Sequence, residues 1–553
     1  MNKKAIAPIL LSSVMIITSF SGCGSKTDKA AGTATSEPTG KTQVITDKQA
    51  EAITLPISKE KISLSYFAMP EPYVVTKMKG YADMVAFQEA EKRTNIAIKW
   101  REESYTDPKP KLNLMFSTGE PEDIIWDAYN ANGGAKKLLD DGMILSLTDY
   151  VDKYAPNLKK LMKENPQLMQ EISTDDGRIY MFPEIRLDPT TRANSGFQVR
   201  NDWLKNLNLK APTTIDEWYT VLKDFKEKDP NGNGQKDEVP FVSLSRKKNS
   251  QSFTNFAPGF GILDVDFYVD KDKVKFGPLE AGYKDYVTTL AKWYKEGLID
   301  PEYATMEAKN FDAKITGDKG GAYYAALSGN LGKYLSTKKD DPSFDLVGVQ
   351  NPKAADGKSY AAVSAFGKMV PHGASIGKNN KHIIETIKWL DWHFSEEGIT
   401  LFNWGIEGKS FTGKGQDKKF TDLIMKNPDK LSIEEADAKY AGCVLVQMPG
   451  IDDPLAFQQL KCATPQQLGA SKAWGTMDTS RIIPPLFFDE TRTQENANIL
   501  SEANTYLDEM FNKFVMGIEP LENYDKFVQK LKEMKVEQVV KNYQESYDKA
   551  KKK

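Results

Sequence analysis

Short apolar segments alternate with amphipathic ones through most of this 553-residue chain. Residues 61–67 alternate polar and apolar side chains as a strand does, residues 81–93 have the spacing of a helix, and residues 96–100 and 123–126 are further strand candidates. Strands separated by helices pair in parallel, and the helices then cover the faces of the sheet. The pattern therefore predicts an α/β protein.

The chain is too long for one core, because domains have about 100–200 residues. Apolar residues make up 40% of it, which is enough to form more than one core. Helical patterns become dominant toward the end, over residues 283–296, 382–394, 494–510 and 522–533. We expect two α/β lobes and a mostly helical C-terminal third, with the chain crossing between the lobes near residues 185–195 and 310–330.

The first 22 residues have the pattern of a secretion signal. Two lysines precede the apolar run 5–20, and the small residues Ser21 and Gly22 stand immediately before Cys23. This arrangement resembles a bacterial lipobox, in which the cysteine is lipid-modified and becomes the mature N-terminus. An ordinary signal peptide followed by a chance cysteine is the alternative.

Residues 23–58 are predicted to be the lipidated cysteine and a flexible tether. Most of this segment is rich in Ser, Thr, Lys, Gly and Ala, and it has too few large apolar residues to form a core. Two acyl chains are enough for stable attachment to a bilayer. The sequence has no other run of about 18 apolar residues, so the expected location is the extracellular face of the cell membrane, by a lipid anchor.

Charge and motif content argue against several functional classes. The net charge of −3 excludes a globally basic nucleic-acid binder, and no catalytic triad, phosphate-binding or dinucleotide-binding motif is present. His372, His382 and His393 are in no metal-binding motif and are assigned to packing or surface. Cys443 and Cys462 form either a disulfide or two free thiols. We expect neither an enzyme nor a nucleic-acid partner.

The loop at 229–240 (DPNGNGQKDEVP) has the pattern of a calcium site. Oxygen-bearing side chains stand at loop positions 1, 3, 5 and 9, and Gly234 at position 6 permits a sharp turn. Position 12 is Pro240 where an EF-hand has Glu, which favours a static, structural site. The predicted ligands are the side chains of Asp229, Asn231, Asn233, Asp237 and Glu238 and the carbonyl of Gln235. An Asn-Gly turn with solvated acids is the alternative.

Several further runs occur in a fixed order along the chain. They are STGEPED at 117–123, DGRIYMFP at 176–183, VRNDWL at 199–204, TTIDEW at 213–218, YKEGLIDPE at 294–302 and WGIEG at 404–408. Together with the loop at 229–240 and the lipobox, they resemble the extracellular solute-binding lipoproteins of bacterial ABC importers (family 1, carbohydrate type). The calcium loop recurs in that family.

The resemblance implies a periplasmic-binding-protein-like fold, in which two lobes close on a ligand about a hinge. It implies capture of a carbohydrate, here an oligosaccharide, and delivery to the permease subunits by a monomer. The domain bounds are expected at 1–22 for the signal, 23–58 for the tether, 59–190 with about 310–370 for the first lobe, and 191–309 with 371–553 for the second. A receptor for peptide or another non-sugar solute, or a surface-anchored glycan-degrading enzyme, are the alternatives.

A sugar site combines aromatic platforms with a few polar groups, and open α/β sheets bind ligands where strands end. Trp126, Asp127 and Tyr129 come at the end of a predicted strand and are the first candidates. The other candidate ligand contacts are Phe67, Tyr324, Trp404, Glu407 and Trp474. Core packing is the alternative for the aromatic residues, and it is the assignment for Trp203, Trp218, Trp293, Trp389 and Trp392, which have helical spacing.

Overall fold

The computed structural model describes residues 45–46, 48–70, 77–104, 108–246, 251–264, 267–362, 369–442 and 447–551, which belong to one compact unit. The predicted signal, Cys23 and most of the tether lie outside these residues. Within them, no helix has both the length and the apolar character needed to cross a membrane.

The strands are β1 (Ile62–Ala68), β2 (Ile96–Glu102), β3 (Ile124–Trp126), β4 (Phe182–Ile185), β5 (Ser195–Arg200), β6 (Val239–Phe241), β7 (Phe267–Asp270), β8 (Lys273–Phe276), β9 (Gly320–Ala326), β10 (Leu346–Val349), β11 (Met369–Ile376), β12 (Phe411–Thr412), β13 (Lys419–Phe420) and β14 (Gly450–Ile451).

The α-helices are α1 (Val85–Thr94), α2 (Pro108–Ser117), α3 (Gly134–Asp140), α4 (Thr148–Tyr154), α5 (Pro156–Glu164), α6 (Pro166–Glu171), α7 (Pro189–Arg192), α8 (Asn201–Asn206), α9 (Ile215–Glu227), α10 (Ala281–Lys295), α11 (Ala308–Thr316), α12 (Lys333–Thr337), α13 (Ile383–Trp392), α14 (Glu396–Trp404), α15 (Asp422–Met425), α16 (Ile433–Tyr440), α17 (Pro454–Lys461), α18 (Pro465–Gly475), α19 (Glu490–Val515), α20 (Tyr524–Glu533) and α21 (Val536–Lys551). Single 3₁₀ or π turns lie at Tyr81–Asp83, Ala128–Asn130, Phe253–Phe260, Gly277–Leu279, Leu327–Gly332, Gly415–Asp417 and Leu521–Asn523.

The first lobe is built on a six-stranded sheet with the order β14-β4-β11-β3-β1-β2. β1 pairs in parallel with β2 and β3, as the strand–helix–strand pattern predicted, whereas β11 is antiparallel to both β3 and β4. Side chains of the sheet such as Leu64, Ile124 and Phe182 are fully buried and form one continuous core with α13 and α14. The helix predicted at 81–93 starts later, at Val85, after the 3₁₀ turn Tyr81–Asp83.

The second lobe is built on a four-stranded sheet with the order β10-β5-β9-β6. Its main core stacks aromatic rings such as Phe197, Trp218 and Phe256 between the sheet and the helices α9, α10 and α19. α9 begins with the predicted capping box: Thr214 Oγ1 accepts the N–H of Glu217 at 3.3 Å, and the carboxylate of Glu217 accepts the N–H of Thr214 at 3.2 Å. The five tryptophans assigned to cores are all buried.

The chain passes between the sheets more than once. The predicted crossing near 185–195 is confirmed, because β4 belongs to the first sheet and β5 to the second. The crossing at 310–330 is wrong, since β9 pairs with β5 and β6 inside the second sheet. The return of about 310–370 to the first lobe is therefore a misassignment.

The chain instead returns to the first sheet at β11. Helices α13 and α14 follow in the first core, and β14 pairs with β4. The assignment of the whole of 371–553 to the second lobe is therefore also wrong, and α18, which packs on β10, is where the chain is again in the second lobe. The mostly helical C-terminal third is confirmed, because the described strands after β11 are only two residues long.

The ends of the strands define two functional edges. β1, β2, β3, β4 and β14 run in one direction and end on the same edge of the first sheet, where β11 begins. In the second sheet, β6, β9 and β10 end together, beside the start of β5. These carboxyl edges are the places where open α/β sheets bind ligands.

Candidate ligand-binding cleft

Asp127 and His372 form a buried pair on the carboxyl edge of the first sheet. Asp127 follows β3 with a φ of 52°, and its Oδ2 lies 2.7 Å from His372 Nδ1. Its Oδ1 accepts the N–H of Gly373 at 3.1 Å, which ties the end of β3 to β11. The imidazole stacks over the ring of Trp126 with centroids 6.3 Å apart, and 40% of the His372 side chain is exposed. His372 is thus the part of this group that a ligand can reach.

The charge of Asp127 controls the ionisation of His372. Burial lowers the pKa of the imidazole, but the hydrogen bond to Asp127 and its negative charge outweigh burial, so that the pKa of His372 is raised above its ordinary value. The cationic imidazole is therefore favoured, and its charge is balanced by the carboxylate beneath it.

A second buried charge cluster lies where β4 and β14 end. Arg186 Nη2 donates to Glu184 Oε1 at 2.9 Å, and its Nε lies 3.0 Å from Asp452 Oδ2. All three residues are less than 10% exposed. Burial raises the pKa of Asp452 to about 7 although Arg186 opposes it, and burial also raises the pKa of Glu184. The Oδ1 of Asp452 is buried and accepts no hydrogen bond from the residues that the structure describes.

A cavity of about 190 Å³ joins this cluster to the second lobe. We call it the Arg186 cavity. Its first-lobe wall includes Arg186, Asn403 and Asp452, and its second-lobe wall includes residues 326–329, at the end of β9. Lys461 on α17 also lines it. Residues of both lobes therefore enclose one space at the carboxyl edges of the two sheets.

A second cavity of about 260 Å³ lies against Tyr129, and we call it the Tyr129 cavity. Tyr180 meets Tyr129 edge-to-face at 6.4 Å between centroids, and Phe487 packs on Tyr180 at 5.9 Å. Lys136 and Glu171 provide charged groups on its wall. Apolar ring faces with a few polar groups are the usual lining of a sugar site.

Of the predicted ligand contacts, the structure brings Trp126, Asp127 and Tyr129 to the carboxyl edge of the first sheet. Tyr129 is half-buried and lines a cavity. Asp127 is buried behind His372, and the ring of Trp126 is only 1% exposed. Trp126 therefore supports the imidazole and offers no platform of its own.

Four other predicted contacts are core residues, and their assignment to the ligand site is wrong because a buried ring cannot stack on a sugar. Phe67 is fully buried in the first core, and Tyr324 packs edge-to-face on Phe197 in the second. Trp404 is stacked on Phe420 and donates its Nε1–H to Asp453 at 2.9 Å.

Trp474, the fourth, is buried between α18 and the second sheet. Its Nε1–H donates to the carbonyl of Val349 at 2.9 Å, and its ring occupies the space that a side chain at Gly196 would need. Glu407 is exposed and lines neither cavity, so the structure does not place it in the site.

Sequence reasoning missed His372, Arg186 and Asp452, together with Tyr180 and Phe487. Arg186 follows the MFPEI segment directly, so the strand-end rule applied to β3 would have found it. His372 and Asp452 gave no such signal, because β11 begins at this edge and β14 has only two residues.

The predicted calcium loop is wrapped around its own polar side chains. Asp229 accepts the N–H groups of Asn233 and Gly234 at 3.1 and 2.9 Å, and Asn231 accepts that of Asn233 at 3.0 Å. Asn233 Oδ1 accepts the N–H of Gln235 at 2.6 Å. These bonds turn the oxygens of Asp229, Asn231 and Asn233 toward the inside of the loop.

The carboxylates of the loop are in contrasting surroundings. Asp237 pairs with Lys319 at 3.0 Å, which lowers its pKa. Glu238 is buried, its Oε1 has no hydrogen-bond partner in the described ranges, and burial raises its pKa. A buried carboxylate oxygen without a partner is costly unless a cation satisfies it. No three His, Cys, Asp or Glu side chains in those ranges form a ready-made metal cluster.

The predicted disulfide stays untested. Cys462 is half-buried and has no disulfide partner in the described part of the chain, and Cys443 lies outside that part.

Three protein relatives are similar in sequence. The fructooligosaccharide ABC transporter substrate-binding protein FusA of Streptococcus pneumoniae is 30% identical over 374 residues, which are 66% of each chain. Lipoprotein LipO of Bacillus subtilis is 27% identical over 63% of this chain and 67% of its own. The polygalacturonan/rhamnogalacturonan-binding protein YtcQ of B. subtilis is 24% identical over 84% of this chain and 88% of its own. This chain spans about two thirds of the length of the first two.

Solved structures share the fold over nearly the whole length. The alginate-binding protein AlgQ2, solved without calcium ion, matches with a TM-score of 0.65 and 25% identity, over 89% of this chain and 99% of that one. An extracellular solute-binding protein from Bifidobacterium longum subsp. infantis matches with a TM-score of 0.72 and 22% identity, over 89% and 98%. The periplasmic-binding-protein-like fold is therefore confirmed.

A family model, described as bacterial extracellular solute-binding protein, matches residues 76–400, which is more than half of the chain. The resemblance seen in the ordered sequence motifs is thereby confirmed. With the two sheets, their facing edges and the relatives above, this match shows that the chain belongs to the bacterial extracellular solute-binding proteins.

Proposed function

We propose that this chain is the substrate-binding protein of an ABC importer and that its ligand is an oligosaccharide. The observation that carries the proposal is the Arg186 cavity, which the ends of β4 and β14 in the first lobe and of β9 in the second enclose together. The Tyr129 cavity adds the aromatic walls that the C–H faces of sugar rings require. FusA, whose name records a fructooligosaccharide ligand, supports the choice of ligand class.

The cleft supplies both kinds of contact that a sugar ring requires. Tyr129 and Phe487 offer half-buried ring surface, while Asp452 and His372 offer an acceptor and a donor close to it. Each cavity is smaller than the about 300–1,000 Å³ of a typical ligand pocket. We infer that each takes one ring of a longer ligand.

Capture then follows from linkage between ligand binding and lobe closure. A ligand that contacts both walls of the Arg186 cavity binds the closed arrangement more tightly than the open one. It shifts the population toward closure by the difference between the two affinities. The closed monomer is the form that would dock on the permease subunits, and no bond of the ligand is broken.

Thermal unfolding of the mature chain from Gly24, with calcium and a panel of plant and bacterial oligosaccharides, tests the proposal. A ligand at 100 times its Kd stabilises the native state by about 2.7 kcal/mol, which gives a clear rise in Tm. The bound glycan is then recovered and sized. A rise in Tm with intact glycan supports a receptor, and cleaved glycan means an enzyme. A rise only with peptides rejects the carbohydrate ligand.

We also propose that the 229–240 loop binds a structural calcium ion. The buried Oε1 of Glu238, which lacks a partner among the described residues, fits a cation in the loop. Asp229, Asn231, Asn233, Asp237 and Glu238 would hold it by side chains and Gln235 by its carbonyl, a hard-oxygen set suited to Ca²⁺. Asp237 would exchange Lys319 for the metal. AlgQ2, whose structure is described as being without calcium ion, supports calcium in similar proteins.

Calcium titration monitored by Tm tests this site. We expect calcium to raise Tm, and Glu238→Gln to abolish the rise. Glu227→Gln, which removes an exposed carboxylate of α9, is the matched control and should keep it. A calcium response that is the same in both variants would place the ion elsewhere.

Cys23 is proposed to anchor the chain to the outer face of the membrane by a lipid. LipO, named a lipoprotein, supports this assignment. Expression of Cys23→Ser should move the protein from the membrane fraction to the medium without changing its ligand-induced Tm shift. Retention of the variant in the membrane fraction would refute a cysteine-linked anchor.

A further inference from the structure

The cations that line the two cavities are already paired with carboxylates. Arg186 is held by Glu184 and Asp452. Lys461 Nζ lies 2.8 Å from Glu434 Oε1. Neither cation is thus available to a negatively charged ligand without first giving up its partner.

The same holds on the Tyr129 side. Lys136 Nζ lies 3.3 Å from Asp176 and 3.5 Å from Asp140, and His372 is paired with Asp127. Within the described ranges, each cation of these walls therefore has at least one carboxylate beside it.

Carboxylates, in contrast, exceed the cations they face. Arg186 alone is shared by two of them, and Lys136 by two or more. Asp452 keeps a buried oxygen that accepts no hydrogen bond from the described residues. Such an oxygen is satisfied by an O–H donor and is repelled by another carboxylate.

We propose that the cleft takes uncharged oligosaccharides, whose hydroxyl groups donate to its carboxylates, and rejects oligosaccharides made of uronic acids. The inference rests on the proposed oligosaccharide-binding function and narrows its ligand class. A uronate would enter a desolvated site without a free cation, and juxtaposed like charges cost several kcal/mol there. The site differs in this respect from what the names of YtcQ and AlgQ2 record for those proteins.

Isothermal titration of the calcium-loaded, dialysed chain tests the inference. The probes are a panel of neutral tri- to pentasaccharides, together with trigalacturonate and its uncharged methyl ester. We expect a neutral oligosaccharide to bind at least about 100-fold more tightly than trigalacturonate. Binding of trigalacturonate less than about 100-fold weaker than the best neutral sugar overturns the inference and leaves the proposed function standing. Binding of no oligosaccharide at all rejects the proposed function itself.

Glu434→Gln provides a gain-of-function test. Glu434 is half-exposed on α16, and its loss leaves Lys461 on the cavity wall without a carboxylate partner. We expect the affinity for trigalacturonate to rise about fivefold at low salt, the gain to shrink at high salt, and the affinity for the neutral ligand to stay within twofold. Glu533→Gln, which breaks a similar pair with Lys530 on α20, is the control. An equal response of the two variants would mean that the pairing of Lys461 does not control ligand charge.

Discussion

Tryptophan content gave little guidance to the ligand site, because the partners of each indole lie far away in sequence. Trp404 Nε1 is bonded to Asp453, 49 residues later, and Trp474 Nε1 to Val349, 125 residues earlier. Trp404 follows a helix and precedes a Gly-rich loop, which is also what a ligand contact would look like in the sequence. Burial, which separates the two cases, depends on tertiary contacts.

Tyr129 and Trp404 give a direct comparison of a cleft ring with a core ring. We expect Tyr129→Ala to weaken oligosaccharide binding about tenfold, since its half-buried ring lines a cavity. Trp404→Phe should leave the affinity unchanged and lower the free energy of unfolding by about 1–3 kcal/mol, because it removes the bond to Asp453 and part of a filled core. Calorimetric titration and denaturant unfolding of both variants measure the two effects.

The comparison also has a clear contrary result. Loss of affinity in Trp404→Phe, with Tyr129→Ala unaffected, would move the ligand to the other side of α14 and contradict the site described above.

His393 makes the stability of the first lobe depend on pH. Burial lowers the pKa of its imidazole to about 4, whereas an unfolded histidine has a pKa of about 6.5. Between these values the unfolded state binds a proton that the native state does not, so stability is lost as pH falls from about 6.5 to about 4. Asp391 acts in the opposite direction, because burial raises its pKa to about 7.

His393→Gln therefore separates the two contributions. We expect the free energy of unfolding of the variant, subtracted from that of the wild type, to change by about 2–3 kcal/mol between pH 6.5 and pH 4. Urea unfolding at several pH values measures the difference. Parallel curves for the two proteins would show that His393 is protonated equally in both states.

At the scale of elements, local signals predicted strands and caps well and predicted strand order poorly. β1, β2 and β3 are recognisable by alternation or by buried runs, and the α9 capping box is readable from four residues. The antiparallel insertion of β11 between β3 and β4 is not local. It brings Gly373 to Asp127 across 246 residues, and His372 enters the site only through that pairing.

The α9 cap gives a test of the local signal. Thr214→Ala removes the side chain that accepts the N–H of Glu217, and we expect a loss of about 1 kcal/mol in the free energy of unfolding. Thr220→Ala, on the same helix, is the control and should change stability little, because that hydroxyl bonds only to the carbonyl of Asp216. Equal losses would show that the cap contributes nothing beyond the methyl packing.

At the scale of the whole molecule, the two-lobe architecture was predictable and the assignment of segments was not. The first crossing follows from the chain leaving β4 for β5. The later crossings were misplaced because a Gly-Gly strand start at β9 looks the same in either sheet. Only the pairing of β9 with β5 decides its membership, and such pairing is invisible to composition and periodicity.

That non-contiguous build has a consequence for how the protein is made. The four strands of the second sheet lie between Ser195 and Val349 in one continuous stretch, but the first sheet lacks β11, an interior strand, until residue 376 has emerged. Contacts between distant segments are slow to form. We expect pulsed hydrogen exchange during refolding to protect amides of β5 and β9 before those of β3; the reverse order would contradict this. A chain that enters the outside world N-terminus first would then finish its leading lobe last, and β3 and β4 would stay open to quality-control proteases and chaperones while the trailing lobe folds.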